Sequence, residues 1–231
     1  MTHVTNDTKV AGLSIKGFAR LTGFMYFLLI PLGVIGIMYI PTLVVAGDLD
    51  ATIANISANS GMFKLSMLTA LLVQIVHIIV ALMLYRLFLP VNRTMARLLV
   101  LMSMLGVPIA LLNEMNNGAV LLVLGNPDLS NSLVALFLGT HQYGIMIVGI
   151  FWGFWLFPMG YLAYKSNFMP KIIGIALMVG CFGYVADSFI YMVAPDFGFQ
   201  FALFLFIGEV MITFWLLIMG VDEEKWQAWG A

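Results

Sequence analysis

Six runs of twenty or more predominantly apolar residues fill most of this 231-residue chain, and no other feature limits its fold so strongly. They read as Phe18 to Ala46, Lys64 to Phe88, Met95 to Leu124, Leu133 to Tyr164, Lys171 to Ala194 and Phe199 to Gly220. Each reaches the roughly 20 residues that a helix needs to cross the hydrocarbon core of a bilayer. There, every backbone N–H and C=O must be paired within the protein, which leaves helices or closed barrels, and no run alternates as a barrel strand does. The expected fold is all-α, a polytopic integral membrane protein with six transmembrane helices forming one domain over residues 1–231. Several runs are longer than a span requires, so tilt or projection beyond the hydrocarbon is expected.

Composition agrees. The chain is 62% hydrophobic and 9% charged, against about 25% charged residues in a soluble domain. A formal net charge of −1 provides no basic surface for nucleic acid. The single cysteine, Cys181, lies inside an apolar run, so no disulfide framework exists. Residues 1–17 are polar and mildly basic, and the run after them is too long for a signal-peptide core, so it reads as a retained first span.

Nine of the ten Lys and Arg residues fall on one side of this layout: Lys9, Lys16, Arg20, Arg86, Arg93, Arg97, Lys165, Lys171 and Lys225, with Lys64 opposite. The positive-inside rule then puts both termini in the cytoplasm of a multi-pass cell-membrane protein. The one long connection, residues 47–63, falls outside, where Asp50 is expected to cap a short interfacial helix from Ala51 to Ala58. The cytoplasmic tail, 221–231, carries Trp226 and Trp229, the pattern of an interfacial anchor. FLPVNR at Phe88 and FMPKII at Phe168 share F-x-P at two turns on the same side, a faint internal echo.

Ionisable residues inside the spans cost roughly 2.5–3.5 kcal/mol each at the bilayer centre, so they need partners. Counting a rise of about 1.5 Å per residue from the outer helix ends puts Glu114, His141, Asp187 and Glu209 at one depth, roughly 10–15 Å in. Gln74 joins that slab and His77 lies slightly deeper. Tyr184, Asp187 and Tyr191 share one helix face, Asn113 and Asn117 flank Glu114, and Gln142 follows His141. The polar stretch NEMNNG after Pro108 suggests local unwinding or a water-lined kink. The expected site is an outward-opening polar pocket formed by Glu114, His141, Asp187 and Glu209. Crowded there, three carboxylates and a histidine cannot all carry the charges they hold in water, so they share protons.

Three functional classes fit this layer. The first binds or translocates a small amphiphile or cation with a coupling proton; alternating access with six helices and no clear inverted repeat would call for a homodimer. The second is a membrane-embedded enzyme that modifies a lipid or isoprenoid by acid–base chemistry. His141, Glu114, Asp187 and Glu209 are also acceptable ligands for a metal, but no metal, haem or nucleophile motif specifies a cofactor. The third is an assembly or sensor subunit in which Gln74, Asn113, Asn116, Asn117 and His77 act as interhelical glue, worth about 0.6 kcal/mol per contact. Gly149, Gly153, Gly180 and Gly183 offer close helix contacts, and the FWGFW cluster from Phe151 reads as packing or lipid-facing surface.

Six segments carry a likeness to a known family: GDLDATIANI (Gly47 to Ile56), LYRLFLPVN (Leu84 to Asn92), HQYGIMIVGIFWG (His141 to Gly153), FMPKIIGI (Phe168 to Ile175), GYVADSF (Gly183 to Phe189) and GEVMITFWLLIMGV (Gly208 to Val221). Together they resemble the bacterial integral-membrane domain-of-unknown-function family 4386. The resemblance implies a compact multi-helix protein of the bacterial inner membrane, in contact with membrane lipids. It assigns no reaction and no catalytic residue; His141, Asp187 and Glu209 fall within the matching segments.

Overall fold

In the computed structural model, which describes residues 9, 10 and 12–229, the chain is all-α apart from a two-residue strand pair, β1 (Lys9–Val10) and β2 (Leu13–Ser14). The rest of the polar segment before Lys9 lies outside the described residues. Ten α-helices follow: α1 (Ile15–Gly33), α2 (Leu49–Ala58), α3 (Ser60–Phe88), α4 (Arg93–Leu124), α5 (Ser132–Phe154), α6 (Leu156–Ser166), α7 (Lys171–Val193), α8 (Phe201–Leu205), α9 (Ile207–Ile218) and α10 (Glu223–Ala228). They build six helical stretches long and apolar enough to cross a membrane, from Ile15–Leu43 to Phe201–Ile218.

Three of the six are interrupted. Pro31 cannot donate a backbone hydrogen bond, and α1 passes into a π-helical turn over Val34–Met38 and a 3-10 turn over Ile40–Leu43. The fourth span breaks at Trp155, between α5 and α6, where Pro158 has no N–H to offer the carbonyl of Phe154. The sixth breaks at Phe206 without a proline. Gly208 there approaches α7 so closely that a Cβ would sit 2.6 Å from the Leu177 nitrogen. By contrast α4 stays helical through Pro108 and through Asn113 to Gly118, without local unwinding. The Asn116 amide bonds back to Asn113, and Asn113 bonds across to α5 instead of breaking its own helix.

Helix α2 starts earlier than the sequence suggests because Asp48, not Asp50, is its cap: Asp48 is extended and its carboxylate accepts the Ala51 N–H at 2.9 Å. The α2 side chains Thr52 and Ile56 are buried, and Ile56 packs in a cluster with Leu43, Phe63, Val120 and Val134 at the end of the bundle away from the termini.

The spans form a closed ring in chain order. Each packs on the next, and α9 packs on α1 to close the circle. Small residues make the tight seams, as expected where lipid removes the hydrophobic drive for helices to associate. A Cβ at Gly23 would overlap the Leu217 backbone across the closing seam, one at Gly160 would meet the Gly174 carbonyl at 2.6 Å, and one at Gly153 the Cys181 carbonyl at 2.9 Å. Outward faces carry apolar residues such as Leu68, Leu112, Met115, Leu122 and Phe182, all exposed. A protein in water rarely leaves so continuous an apolar surface, whereas hydrocarbon solvates it.

At the terminal end, the tail ties the ring together. The Trp226 indole donates to the Leu87 carbonyl at the end of α3, and the Trp229 indole to the Ser166 carbonyl at the end of α6, both at 2.8 Å. The Arg20 guanidinium donates twice to the Ile218 carbonyl. The two F-x-P turns meet here, with the Phe88 and Phe168 rings stacked at 5.8 Å.

Candidate functional site

The ring axis holds a chain of polar and aromatic groups contributed by five spans. Glu209 sits in the first turn of α9, just past the break at Phe206, where a helix N-terminus favours negative charge. The Tyr184 hydroxyl of α7 donates to its Oε1 at 2.8 Å, and the Tyr26 hydroxyl of α1 to its Oε2 at 3.1 Å. Tyr26 packs against Trp155 with ring centroids 5.8 Å apart, and Trp155 against His77 of α3 at 4.4 Å. Glu209 is thus the bolt between the first, fifth and sixth spans, and Trp155 is a buried core residue joining the fourth to the first and second.

Glu114 and His141 meet elsewhere, between α4 and α5. His141 Nε2 lies 3.1 Å from Glu114 Oε1, with side chains only 9% and 11% exposed. Asn117 donates to Glu114 Oε2 at 2.9 Å, and Asn113 to the His141 backbone carbonyl at 2.9 Å. The Cβ of any side chain at Gly144 would collide with the Asn113 amide, so glycine is what lets α5 come this close. Asn117 Oδ1, beside the pair, and Gln74 Oε1 are buried acceptors without a protein partner among the described residues.

Asp187 is in a third position. Its two oxygens accept the backbone N–H groups of Phe201 at 2.7 Å and Ala202 at 2.8 Å, so a side chain of α7 caps the start of α8. It lies one turn from Tyr184, while Tyr191, a further turn along, packs edge-on against Tyr143 at 5.3 Å.

The expected single pocket is not formed: Glu114 and His141 make one pair, while Glu209 and Asp187 stand apart as two separate carboxylates, each held by its own donors. Glu209 and Asp187 are linked through Tyr184 and its helix. Among the described residues no three of His, Cys, Asp and Glu gather as metal ligands. Tyr26 and Trp155 are the participants that sequence reasoning omits. A tyrosine and a tryptophan within apolar runs read as ordinary lipid-facing or core aromatics, and only a demand for donors to Glu209 could have singled out Tyr26.

Two clefts open at the end away from the termini. One, of about 630 Å³, runs between the segment 40–52 and α5; Ile40, Val44, Leu49 and Leu138 line it, with His141 and Gln142 among the polar groups. The other, of about 480 Å³, lies between α5, α7 and the 194–204 segment and is lined by Trp152, Tyr184, Asp187 and Tyr191 among others.

A closed ring of six apolar spans defines a multi-pass α-helical membrane protein. The model of the domain of unknown function DUF4386 matches residues 21–220, and the chain belongs to that family. A protein of Archaeoglobus fulgidus described as uncharacterized is 37% identical over 82 residues, which cover 35% of this chain and 49% of that protein, about half its length. No solved structure matches.

Proposed function

We propose that this protein binds a small amphiphile from the outer half of the cell membrane, both its termini being cytoplasmic, and that binding is coupled to a proton held by Glu114 and His141. The observation that carries this reading is the contact of 3.1 Å between His141 Nε2 and Glu114 Oε1, with His141 lining the apolar cleft. An amphiphile suits such a cleft: an apolar tail would lie along Ile40, Val44, Leu49 and Leu138, and a polar head would meet Gln142 and His141. With Nε2–H donated to Glu114, a proton taken from the ligand enters the imidazole at Nδ1, turning the contact into an ion pair, and returns to the ligand from the same nitrogen. Asn113 and Asn117 hold the partners in register for that exchange.

The same dyad is a general-base arrangement, so the enzyme reading rests on it too, and conversion of the bound molecule in the assay below would favour that reading. The test is native mass spectrometry of protein released gently from its membrane, comparing wild type, Leu138→Trp and Glu114→Gln. Expected are a stoichiometric amphiphile on the wild type, its loss when Trp fills the cleft, and retention with weaker dependence on pH in Glu114→Gln. An empty wild type, or equal occupancy in Leu138→Trp, would refute the proposal.

A further inference from the structure

We infer that the second cleft, between α5, α7 and the 194–204 segment, is a cation site for a quaternary ammonium group, separate from the Glu114–His141 cleft. Its volume of about 480 Å³ lies within the usual range for small-ligand pockets. Among the described residues Asp187 is the one charged side chain that lines it. Both Asp187 oxygens accept backbone N–H bonds, and a carboxylate oxygen can accept more than one such contact. Among the described residues the ion pairs are His141 with Glu114 and Lys225 with Asp222, so the charge of Asp187 is met only by neutral amides.

The remaining lining determines which cation fits. Trp152, Tyr184, Tyr191 and Phe199 contribute aromatic rings, and Gln200 the polar rim. A compact ammonium such as lysine's prefers hydrogen-bond acceptors and water, whereas a quaternary ammonium has no N–H to satisfy and is held by ring faces and a nearby negative charge. The Tyr184 hydroxyl is already committed to Glu209, so that residue can offer the cleft its ring and not its oxygen. Binding here would also press on α8, whose first amides Asp187 holds.

Choline is the probe, titrated calorimetrically into protein in phosphatidylglycerol nanodiscs at constant ionic strength. Its uncharged carbon isostere, 3,3-dimethyl-1-butanol, serves as the comparison. Choline should saturate and bind about tenfold or more tightly than the isostere, the ratio expected when a desolvated cation–π contact and a carboxylate both favour the charge. Asp187→Asn and Trp152→Leu should each weaken choline by about tenfold, while Asp196→Asn, which removes a charge from the same loop but not from the cleft, should change it less than about twofold. In phosphatidylcholine nanodiscs, suppressed choline binding identifies a lipid headgroup as the source of the cation, and unchanged binding identifies a free solute. Absence of saturable binding in wild type, no preference over the isostere, or indifference to both cleft substitutions would overturn the inference. The wild-type comparison stands even where a variant fails to fold.

Discussion

Replacing Glu209 by Gln tests the idea that a carboxylate bridges the ring where its ends meet. Two tyrosine hydroxyls donate to it, at 2.8 and 3.1 Å. Hydrogen bonds to a charged acceptor are worth about 1.5–3 kcal/mol each, and putting the charge within a span costs roughly 2.5–3.5 kcal/mol, so the favourable side is ahead by a small margin. Gln keeps one acceptor oxygen and presents its NH₂ to the other tyrosine, leaving that hydroxyl without an acceptor at a cost of about 1–3 kcal/mol. Net destabilisation of about 1–2 kcal/mol is expected, most of the lost attraction being offset by the relieved charge. A double-mutant cycle is sharper. Tyr184→Phe should cost about 1.5–3 kcal/mol in the wild type and about 1 kcal/mol or less in the Glu209→Gln background. Reversible unfolding in mixed micelles measures both. Additivity within about 0.5 kcal/mol would refute the bridge.

Three further outcomes follow from the seams and the tail. Gly23→Ala would drive a methyl into the Leu217 backbone; with main chain on both sides the helices must part, and a loss of about 1–3 kcal/mol is expected in the same unfolding assay. Trp226→Phe keeps the ring but removes the donor to Leu87; a loss of about 1 kcal/mol, with faster proteolysis of the tail, is expected. The Lys225 ammonium and backbone N–H beside Asp222 hold its carboxyl below the usual carboxylate range. That contribution is present above the ordinary carboxylate value and lost as pH falls through the lower folded one. Tail tryptophan fluorescence should therefore be constant from neutral pH to about pH 4 and change below it in wild type, and this acid step should be absent in Asp222→Asn.

The layout of spans is legible in the sequence because bilayer thickness sets a length and backbone pairing allows one structure. The meeting of Glu114 and His141 is legible in part: a fixed rise per residue puts them at similar distances from their helix ends, and their side chains touch. Rotation about each helix axis is not, since in spans apolar on all faces no polar side marks the direction of the core. Glu209 turns toward Tyr26 and Tyr184, while Asp187 turns toward the amides of α8, a choice invisible until α8 exists as a separate helix. That break has no proline to announce it, and just past it Gly208 lies close against Ala176 and Leu177, a relation between residues far apart in the chain. Asp48 and Asp50 are equally good caps by type, and only the extended backbone at Asp48 decides between them.

The ring order has a consequence for biogenesis. A ribosome delivering this chain to the membrane presents each new span beside the one it must pack on, so most contacts can form locally and early. The exception is the seam between the first and last spans, where Tyr26 and Glu209 are 183 residues apart. Until the sixth span arrives, the Tyr26 hydroxyl lacks its Glu209 partner, and the tether to its own chain favours that chain's late span over one from another copy. The tail that follows reaches Leu87 and Ser166 by its indoles, so a chain shortened before Asp222 would close its ring but leave it unlatched.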